Sequence, residues 1–532
     1  MRFEKATKKG CVLSEKNKIF KNMEYKKTIA LLLADGYKHV HAEQFPKGLT
    51  KLVSYLTPRK SRIPQKEMVF FGLQGFIKEY LIDYFNDNFF SLSLKTVIDD
   101  YTYVLDSMLG KGNYDIRKVI DLHNLGYLPL QISAVPEGTR VPMGCPCIEI
   151  TNTHEDFAWV VQWVESWLSS EIWKPCVHAT VGDMYKQIVN HYYGLTVEND
   201  VDKTKAISDF GFRGMSCLQE ATKASAAWLL SFSGTATIPA IPYIEKYYYG
   251  DNKYKNFATN AISTEHSVMA SNYSIDGDER TFVKRLLTEI YPHASFSMVS
   301  DTYDYWNLVD NILPSLKEEI LNHDGKLLVR PDSGDIIDIS VKTVEHLWDI
   351  FGGTTNSKGF KVLDQHIGCV YGDGVTPRRA KIIYQKLMDK GFASNNIVFG
   401  AGSFSFNAFE LENYDGTTSL APCTRDTFSI AVKATVGIVN GKEIEIFKDP
   451  KTDRENGGGN FKKSQRGACR VWRDIITKEI KFVDREKIKN IDRIYFGVKD
   501  EESNDLFETY FRDGKLILEQ TIYDIRRYLE RY

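Results

Sequence analysis

Seven short apolar runs, each ending in a polar or glycine-rich turn, constrain this chain more than any other feature. They are "AISDFGFRG" (206–214), "SFSGTATI" (231–238), "AISTEHS" (261–267), "FSMVSDTYD" (296–304), "LLVRPDSGD" (327–335), "IGCVYGDGV" (367–375) and "NIVFGAGSF" (396–404). Amphipathic segments such as "TPRRAKIIYQKLMDKG" (376–391) separate several of them. Alternation of β-type runs with helical stretches implies parallel strands joined by helical crossovers. Seven such units favour a closed or nearly closed α/β barrel over an open sheet. In such barrels the functional site lies at the carboxyl ends of the strands.

Those ends carry chemistry. In chain order they present Arg213, Thr235, His266, Asp301, Arg330 with Asp332, Asp373, and Gly402. Taken singly, each has a bland explanation: Asp373 in "GDG" is an ordinary turn residue and Asp332 could cap a helix. Seven in succession at equivalent positions point to one shared rim. Cations and glycine loops suit phosphate groups, and a carboxylate beside them suits sugar hydroxyls. Phe210 and Phe212, either side of Gly211 and next to Arg213, offer a stacking surface. The combination suggests a phosphorylated sugar plus a flat ring. No "HExxH", no "GxxxxGK[ST]", no "GxGxxG" after a strand and no nucleophile elbow occurs, which disfavours a protease, a P-loop kinase and a Rossmann dehydrogenase.

Composition bounds the rest. With 532 residues, 43% of them hydrophobic, the chain can bury a large core in two or more domains or in one elaborated α/β body. A net charge of -2 from 68 basic and 70 acidic residues argues against a nucleic-acid binder or a membrane-surface protein. The 8 cysteines include one close pair, "CPC" (145–147), and no second pair at zinc-ligand spacing; they read as reduced thiols of a cytosolic protein. No apolar run is long enough to span a bilayer. "TIALLLADGYKH" (28–39) reads as a buried strand, the lysine-rich leader 1–27 as a mobile tail, and "RENGGGNFKKSQRG" (454–467) as an exposed loop.

These motifs also resemble a known family. "DGYKHVHAEQFP" (35–46), "SDFGFRGMSCLQEA" (208–221), "GTATI", "EHS", "SDTYD", "RPDSGD", "GDGV", "TRD" (424–426) and "FKDP" (447–450) follow, in this order, the pattern of the type II phosphoribosyltransferases, and specifically of the nicotinamide phosphoribosyltransferase family. The likeness runs from about residue 28 to the C-terminus. It implies an irregular α/β barrel beside a mixed α/β domain built from both chain ends. The divisions would be a leader (1–27), the first part of the mixed domain (28–200), the barrel (201–436) and a returning C-terminal part (437–532). It implies homodimers with two sites at the subunit interface, in the cytoplasm (a host's cytoplasm if a phage encodes the chain). The reaction implied joins nicotinamide to phosphoribosyl pyrophosphate, giving nicotinamide mononucleotide and pyrophosphate.

By the same resemblance, the ring would stack between Phe210 and Tyr37, the latter from the partner subunit. Arg213, His266 and Arg330 would hold the pyrophosphate and Asp332 the ribose hydroxyls. Gly372, Asp373, Gly402 and Ser403 would line the ribose-phosphate region, while Arg425 and Lys433 reach in from the partner with Lys448 nearby. Mg2+ is expected on the pyrophosphate, with Asp301 and Asp373 as candidate ligands, and ATP as a stimulating co-substrate that phosphorylates His266.

The chain departs from the family's pattern at three places. Ala236 stands in "GTA" where the family has an aspartate facing the nicotinamide amide, which opens a nicotinate-using alternative; Gly214 after Arg213, rather than a second arginine, favours nicotinamide. The phosphate loop reads "GAGSFSF", with Ser403 and Phe404 in place of glycines, and an insertion (407–423) follows. A larger donor, ADP-ribose pyrophosphate, would then give NAD directly, with Phe404, Phe406 and Phe409 stacking its adenine; the plain alternative is a surface insertion without a role. Ala431 replaces a serine two residues before Lys433. A non-catalytic nucleotide-binding barrel and a metal-dependent barrel hydrolase are the readings from other classes.

Overall fold

The computed structural model describes residues 28–249, 257–448, 465–486 and 505–532. The leader 1–27 and most of the glycine-rich loop at 454–467 lie outside them. All seven apolar runs form strands: β1 Ile207–Phe210, β2 Gly234–Thr235, β3 Ile262–Ser263, β4 Phe296–Val299, β5 Leu327–Arg330, β6 Ile367–Tyr371 and β7 Ile397–Gly402. They make one sheet in the order β2-β1-β7-β6-β5-β4-β3, every pairing parallel. A parallel bridge between Gly234 and Thr259, just ahead of β3, joins the two edges, so the sheet curls into a nearly closed barrel with its strands in chain order. Every strand therefore ends on the same rim.

Helices cover the outside. The 32-residue helix α1 (Glu165–Thr196) runs against α2 (Leu218–Trp228). Helix α3 (His266–Asp276) follows β3, α4 (Ile336–Phe351) follows β5 and α5 (Pro377–Asp389) follows β6. Sequence chemistry sets their starts. Asp335, not Asp332, caps α4 by accepting the Asp338 N–H at 2.8 Å, and Thr376 caps α5 with Pro377 in the first turn. Asp332 is thus free of the capping role that "RPDSGD" also allowed. Gly334, at φ 86°, makes the turn between them.

A second seven-stranded sheet is antiparallel and takes strands from both halves of the chain. Its order is Lys442–Glu445, Ile430–Val439, Leu49–Pro58, Ile148–Asn152, Leu130–Ala134, Glu508–Arg512 and Lys515–Leu516. The fold is therefore an α/β barrel beside a mixed α/β domain, and one continuous apolar core runs through both sheets and α1.

Two expectations change. Residues 28–39 are buried at Ile29, Ala30 and Leu31 but form 3-10 turns, Ala30–Leu32 and Gly36–Val40, rather than a strand. Their backbone is satisfied locally and by Trp163, whose indole N–H donates to the Leu31 carbonyl at 2.9 Å; no neighbouring strand is needed. The insertion is a β-hairpin, Ala408–Glu412 with Thr418–Pro422. It is anchored where the buried Glu410 accepts from Thr376 at 2.6 Å and pairs with Arg379 at 3.4 Å. Among the described residues, no helix is long and apolar enough to cross a membrane.

Candidate active site

Glycines decide where the rim side chains sit. A Cβ on Gly372 would stand 1.9 Å from Asp332 Oδ1, and one on Gly402 would stand 2.0 Å from Asp373 Oδ1. One on Gly400 would meet the Phe210 ring at 2.4 Å, and one on Gly214 would meet Ser403 Cβ at 2.0 Å. Each functional side chain thus lies across the glycine of a neighbouring strand or turn. The glycines at the ends of β6 and β7 serve close approach, and Asp332, Asp373, Phe210 and Ser403 come together because of it.

The polar centre lies between β3, β4 and β5. His266 is the first residue of α3 and is half exposed; its Nδ1 lies 3.2 Å from Thr302 Oγ1. Its Nε2 turns to two carboxylates, Asp301 Oδ1 at 3.7 Å and Asp332 Oδ2 at 3.8 Å. Arg330 donates from Nη2 to the Thr264 carbonyl at 2.8 Å, and its Nε lies 3.9 Å from Asp332 Oδ1. Burial pulls the Arg330 guanidinium below its ordinary pKa, opposed by Asp332 and Asp301. Burial raises the Asp332 carboxyl, opposed by Arg330. Two buried atoms here, Arg330 Nε and Asp301 Oδ1, have no hydrogen-bond partner. An orphan donor and an orphan acceptor in one cleft suit a ligand that carries both kinds of group.

Arg213 is exposed on the turn Phe212–Gly214 and is close enough for its charge to act on Arg330. Ala236 is exposed at the end of β2, with its N–H donating to the Asp209 carbonyl at 2.9 Å. Phe210, Arg213, Ala236, His266, Arg330, Asp332, Gly372, Asp373, Gly402 and Ser403 therefore all stand on the one rim.

The other expected residues stand elsewhere in the chain. Tyr37 is 57% exposed and its hydroxyl lies 3.5 Å from Asp35 Oδ2. Lys433, on the strand Ile430–Val439, pairs with Glu165 at 3.1 Å, and Glu165 also holds Lys38 at 2.5 Å. Arg425 pairs with Asp426 at 3.6 Å beside a cavity of about 510 Å³ that Ser216, Cys217, Glu220 and Asn407 help to line. Lys448 is exposed beyond the strand Lys442–Glu445. Within one chain, Tyr37, Arg425 and Lys433 answer local acids rather than the rim.

The adenine-stacking role expected of Phe406 and Phe409 is contradicted. Phe406 is 1% and Phe409 7% exposed. Phe406 packs at 4.7 Å from the His178 ring and 5.6 Å from Trp228, filling core space next to Gly211. Neither ring can offer a face to a ligand without leaving the core, and Phe404 is only partly exposed.

Several contributors were not singled out in the sequence: Asp209, Thr302, Asn407 and Glu165. Asn407 donates to the Gly214 carbonyl at 2.9 Å and so ties the end of the phosphate loop to the Arg213 turn. Asp209 had a legible signal. In a strand with period 2 it shares the buried face of Ile207, and a carboxylate facing a core is unusual.

For Mg2+ the residues present a limited fit. Asp301, Asp332 and Asp373 are hard oxygen donors, and Asp301 Oδ1 is an orphan. Among the described residues, no three His, Cys, Asp or Glu side chains are grouped to hold a metal by themselves.

Comparison with known proteins places the chain in a family. Residues 205–514 match the nicotinate phosphoribosyltransferase (NAPRTase) family, and residues 29–132 match the nicotinamide phosphoribosyltransferase N-terminal domain. A nicotinamide phosphoribosyltransferase of Acinetobacter baylyi is 37% identical, over 93% of this chain and 96% of its own. The chain belongs to the nicotinamide phosphoribosyltransferase family. A second relative so named, from Mycoplasma pneumoniae, is 30% identical over 81% of this chain and 95% of its own. Among solved structures, a Pyrococcus furiosus nicotinate-nucleotide pyrophosphorylase superposes with a TM-score of 0.55 at 14% identity, covering 95% of this chain and 96% of that one. Human nicotinic acid phosphoribosyltransferase gives 0.52 at 13%, covering 94% and 93%. At such identities these two structures speak to the fold alone.

Proposed function

We propose that this protein is a pentosyltransferase of pyridine nucleotide salvage that joins nicotinamide to phosphoribosyl pyrophosphate. The products are nicotinamide mononucleotide and pyrophosphate. The observation that carries this reading is the pairing at the end of β5. Arg330 and Asp332 leave the strand two residues apart and sit with their charged ends 3.9 Å apart at the nearest atoms. One is placed for a departing pyrophosphate and the other for the ribose of the same substrate. The whole-length likeness to curated nicotinamide phosphoribosyltransferases supports it.

The chemistry asks little proton transfer of the protein. The C1–O bond to pyrophosphate breaks and the pyridine nitrogen's lone pair forms the C1–N bond. That nitrogen carries no proton, so no general base is required. The sugar passes through an oxocarbenium-like state. Arg213 and Arg330 stabilise the leaving charge, and the Phe210 ring aligns the acceptor by stacking. Asp332 must be ionised to accept ribose hydroxyls. Because burial raises its pKa, activity should fall on the acid side at a higher pH than an ordinary aspartate would give.

The same reading includes a homodimer in the cytoplasm, with Tyr37, Arg425, Lys433 and Lys448 completing the rim of the other subunit. The exposure of Tyr37, Arg425 and Lys448, and the pairing of Lys433 with Glu165 rather than with a rim carboxylate, support it. Mg2+ would be held on the pyrophosphate by Asp301 or Asp373. ATP would supply a phosphoryl group to His266, whose Nε2 faces the cleft while Nδ1 meets Thr302 at 3.2 Å. Incubating the purified protein with Mg2+, phosphoribosyl pyrophosphate and either nicotinamide or nicotinate, with products read by mass spectrometry, tests the reading. Nicotinamide mononucleotide as the main product supports it. Nicotinate mononucleotide in excess would assign the enzyme to the acid, and no nucleotide at all would leave only binding.

A further inference from the structure

Asp209 is 1% exposed, yet nothing in the reaction just described uses it. Its carboxylate is saturated by short-range donors from two different loops. Oδ1 accepts the Gly211 N–H at 2.7 Å, while Oδ2 accepts the Thr235 hydroxyl at 2.9 Å and the Thr237 hydroxyl at 3.1 Å. Its main-chain carbonyl accepts the Ala236 N–H at 2.9 Å. Thr235 Oγ1 in turn accepts the Thr237 N–H at 2.9 Å and meets Ser225 Oγ at 2.8 Å. Since the Thr235 proton goes to Asp209, Ser225 is the donor in that last pair. Thr235, Thr237 and Ser225 are all 4% exposed or less.

This network joins the two walls of the acceptor pocket. One wall is the turn after β1, which carries Phe210 and Arg213. The other is the turn after β2, residues 235–237, which carries Ala236. The groups acting most strongly on Asp209 are hydroxyls and a backbone N–H rather than cations, and burial raises its pKa against them. A buried carboxylate held without a cation is costly. An apolar residue would pack the same space more cheaply but could not receive donors from both loops at once.

We infer that Asp209 is a positioning residue for the nicotinamide ring, fixing the spacing and tilt between the Phe210 face and the 235–237 edge. The inference rests on the proposed reaction. With Ala236 contributing only a methyl group, the edge of the ring is met by backbone whose place Asp209 sets, so the geometry of 235–237 takes on the selective work. Most of the ribosyl donor's proposed contacts, His266, Arg330, Asp332 and Asp373, lie at the ends of β3, β5 and β6 away from this network; only Arg213 shares the turn that Asp209 holds.

The test is Asp209→Asn, which preserves shape while turning one acceptor oxygen into a donor that faces hydroxyls or an N–H. Thr237→Val, which removes one donor, is the milder companion. In the full-length enzyme with Mg2+, Asp209→Asn should raise the KM for nicotinamide about tenfold or more while the KM for phosphoribosyl pyrophosphate, touched only through Arg213, rises several-fold less, as a displaced stacking and edge contact requires. Thr237→Val should move the same constant in the same direction by less. Equal movement of both KM values, or a fall in kcat that tracks the folded fraction in a thermal melt, overturns the inference in favour of a structural role. An active wild type with an unchanged Asp209→Asn variant overturns it too. A wild type that forms no nicotinamide mononucleotide overturns the reaction and the inference together.

Discussion

The two seven-stranded sheets of this protein carry functional residues in opposite ways. In the parallel barrel every strand runs the same way, so the ends of β1 to β7 deliver ten expected residues to one rim. In the antiparallel sheet alternate strands point in opposite directions and no common end exists. Its contributions come from a 3-10 turn (Tyr37), the middle of a strand (Lys433) and a short turn (Arg425). The barrel residues are also packed into place by glycine cradles and orphaned atoms, whereas Lys433 and Lys38 share one partly exposed acid, Glu165. The contrast teaches that one sheet builds a cleft and the other builds a surface. The surface has Lys433 and an exposed Tyr37, and its Arg425 lines the cavity shared with Ser216 and Cys217; in the proposed dimer these groups would complete the rim of the partner.

The sharpest way to break the comparison is to remove a cradle. Gly372→Ala puts a methyl group 1.9 Å from Asp332 Oδ1. The colliding atom is the end of a side chain, so the fold should tolerate it while Asp332 swings away. A displacement of this order is expected to lower kcat/KM about 100-fold with little change in melting temperature. Equal loss of activity and stability would mean that the glycine serves the fold rather than the site.

A smaller effect is expected on the surface side. Lys433 pairs with Glu165 while 43% exposed, so its loss should leave stability within about 1 kcal/mol. A charge-assisted contact to a phosphate is worth roughly 1.5–3 kcal/mol, so Lys433→Ala should raise the KM for the ribosyl donor about tenfold or more with kcat nearly unchanged. Steady-state kinetics with varied donor decide it.

The third effect is on stability rather than catalysis and belongs to a buried carboxyl beside the antiparallel sheet. Glu137 is fully buried and accepts N–H groups of Gly72 and Gln74 at 3.0 Å each; its own N–H donates to Tyr510 at 3.1 Å. Burial pushes its carboxyl up to about 7. A carboxyl raised in the fold contributes stability that is full below its unfolded pKa and lost as pH rises through the folded value. Wild type should therefore lose up to about 3 kcal/mol between pH 4.5 and pH 8 from this group. Glu137→Gln should remove that part of the slope in melts taken across the range.

How much of this could be read in the sequence follows from the same contrast. The barrel was legible because each strand is a local apolar run and its site residues are the next few in the chain, as in "VRPDSGD". Asp332 and Asp335 show the limit: both could cap α4, and only the structure shows that Asp335 does. Phe406 reads as a ligand platform because it stands with Phe404 and Phe409 after an altered phosphate loop, but its ring is claimed by His178 on α1 and Trp228 on α2, both distant in the chain. The segment 28–39 has a strand's composition, yet turns and the Trp163 indole satisfy its backbone. Glu165 gave no signal at all, since a glutamate beginning a helix is ordinary, and its role exists only through Lys38 and Lys433 at distant positions.

The most direct measurement is subunit complementation between the two regions. Arg330→Ala damages only the rim, and Lys433→Ala only the surface. The two variants would be dissociated together, reassociated, and assayed at donor concentrations far below the KM of Lys433→Ala. If the surface of one subunit completes the rim of the other, half of the random dimers are hybrids with one intact site, and activity should return to about a quarter of wild type. A mixture no more active than the sum of its parents would show that rim and surface do not share a site.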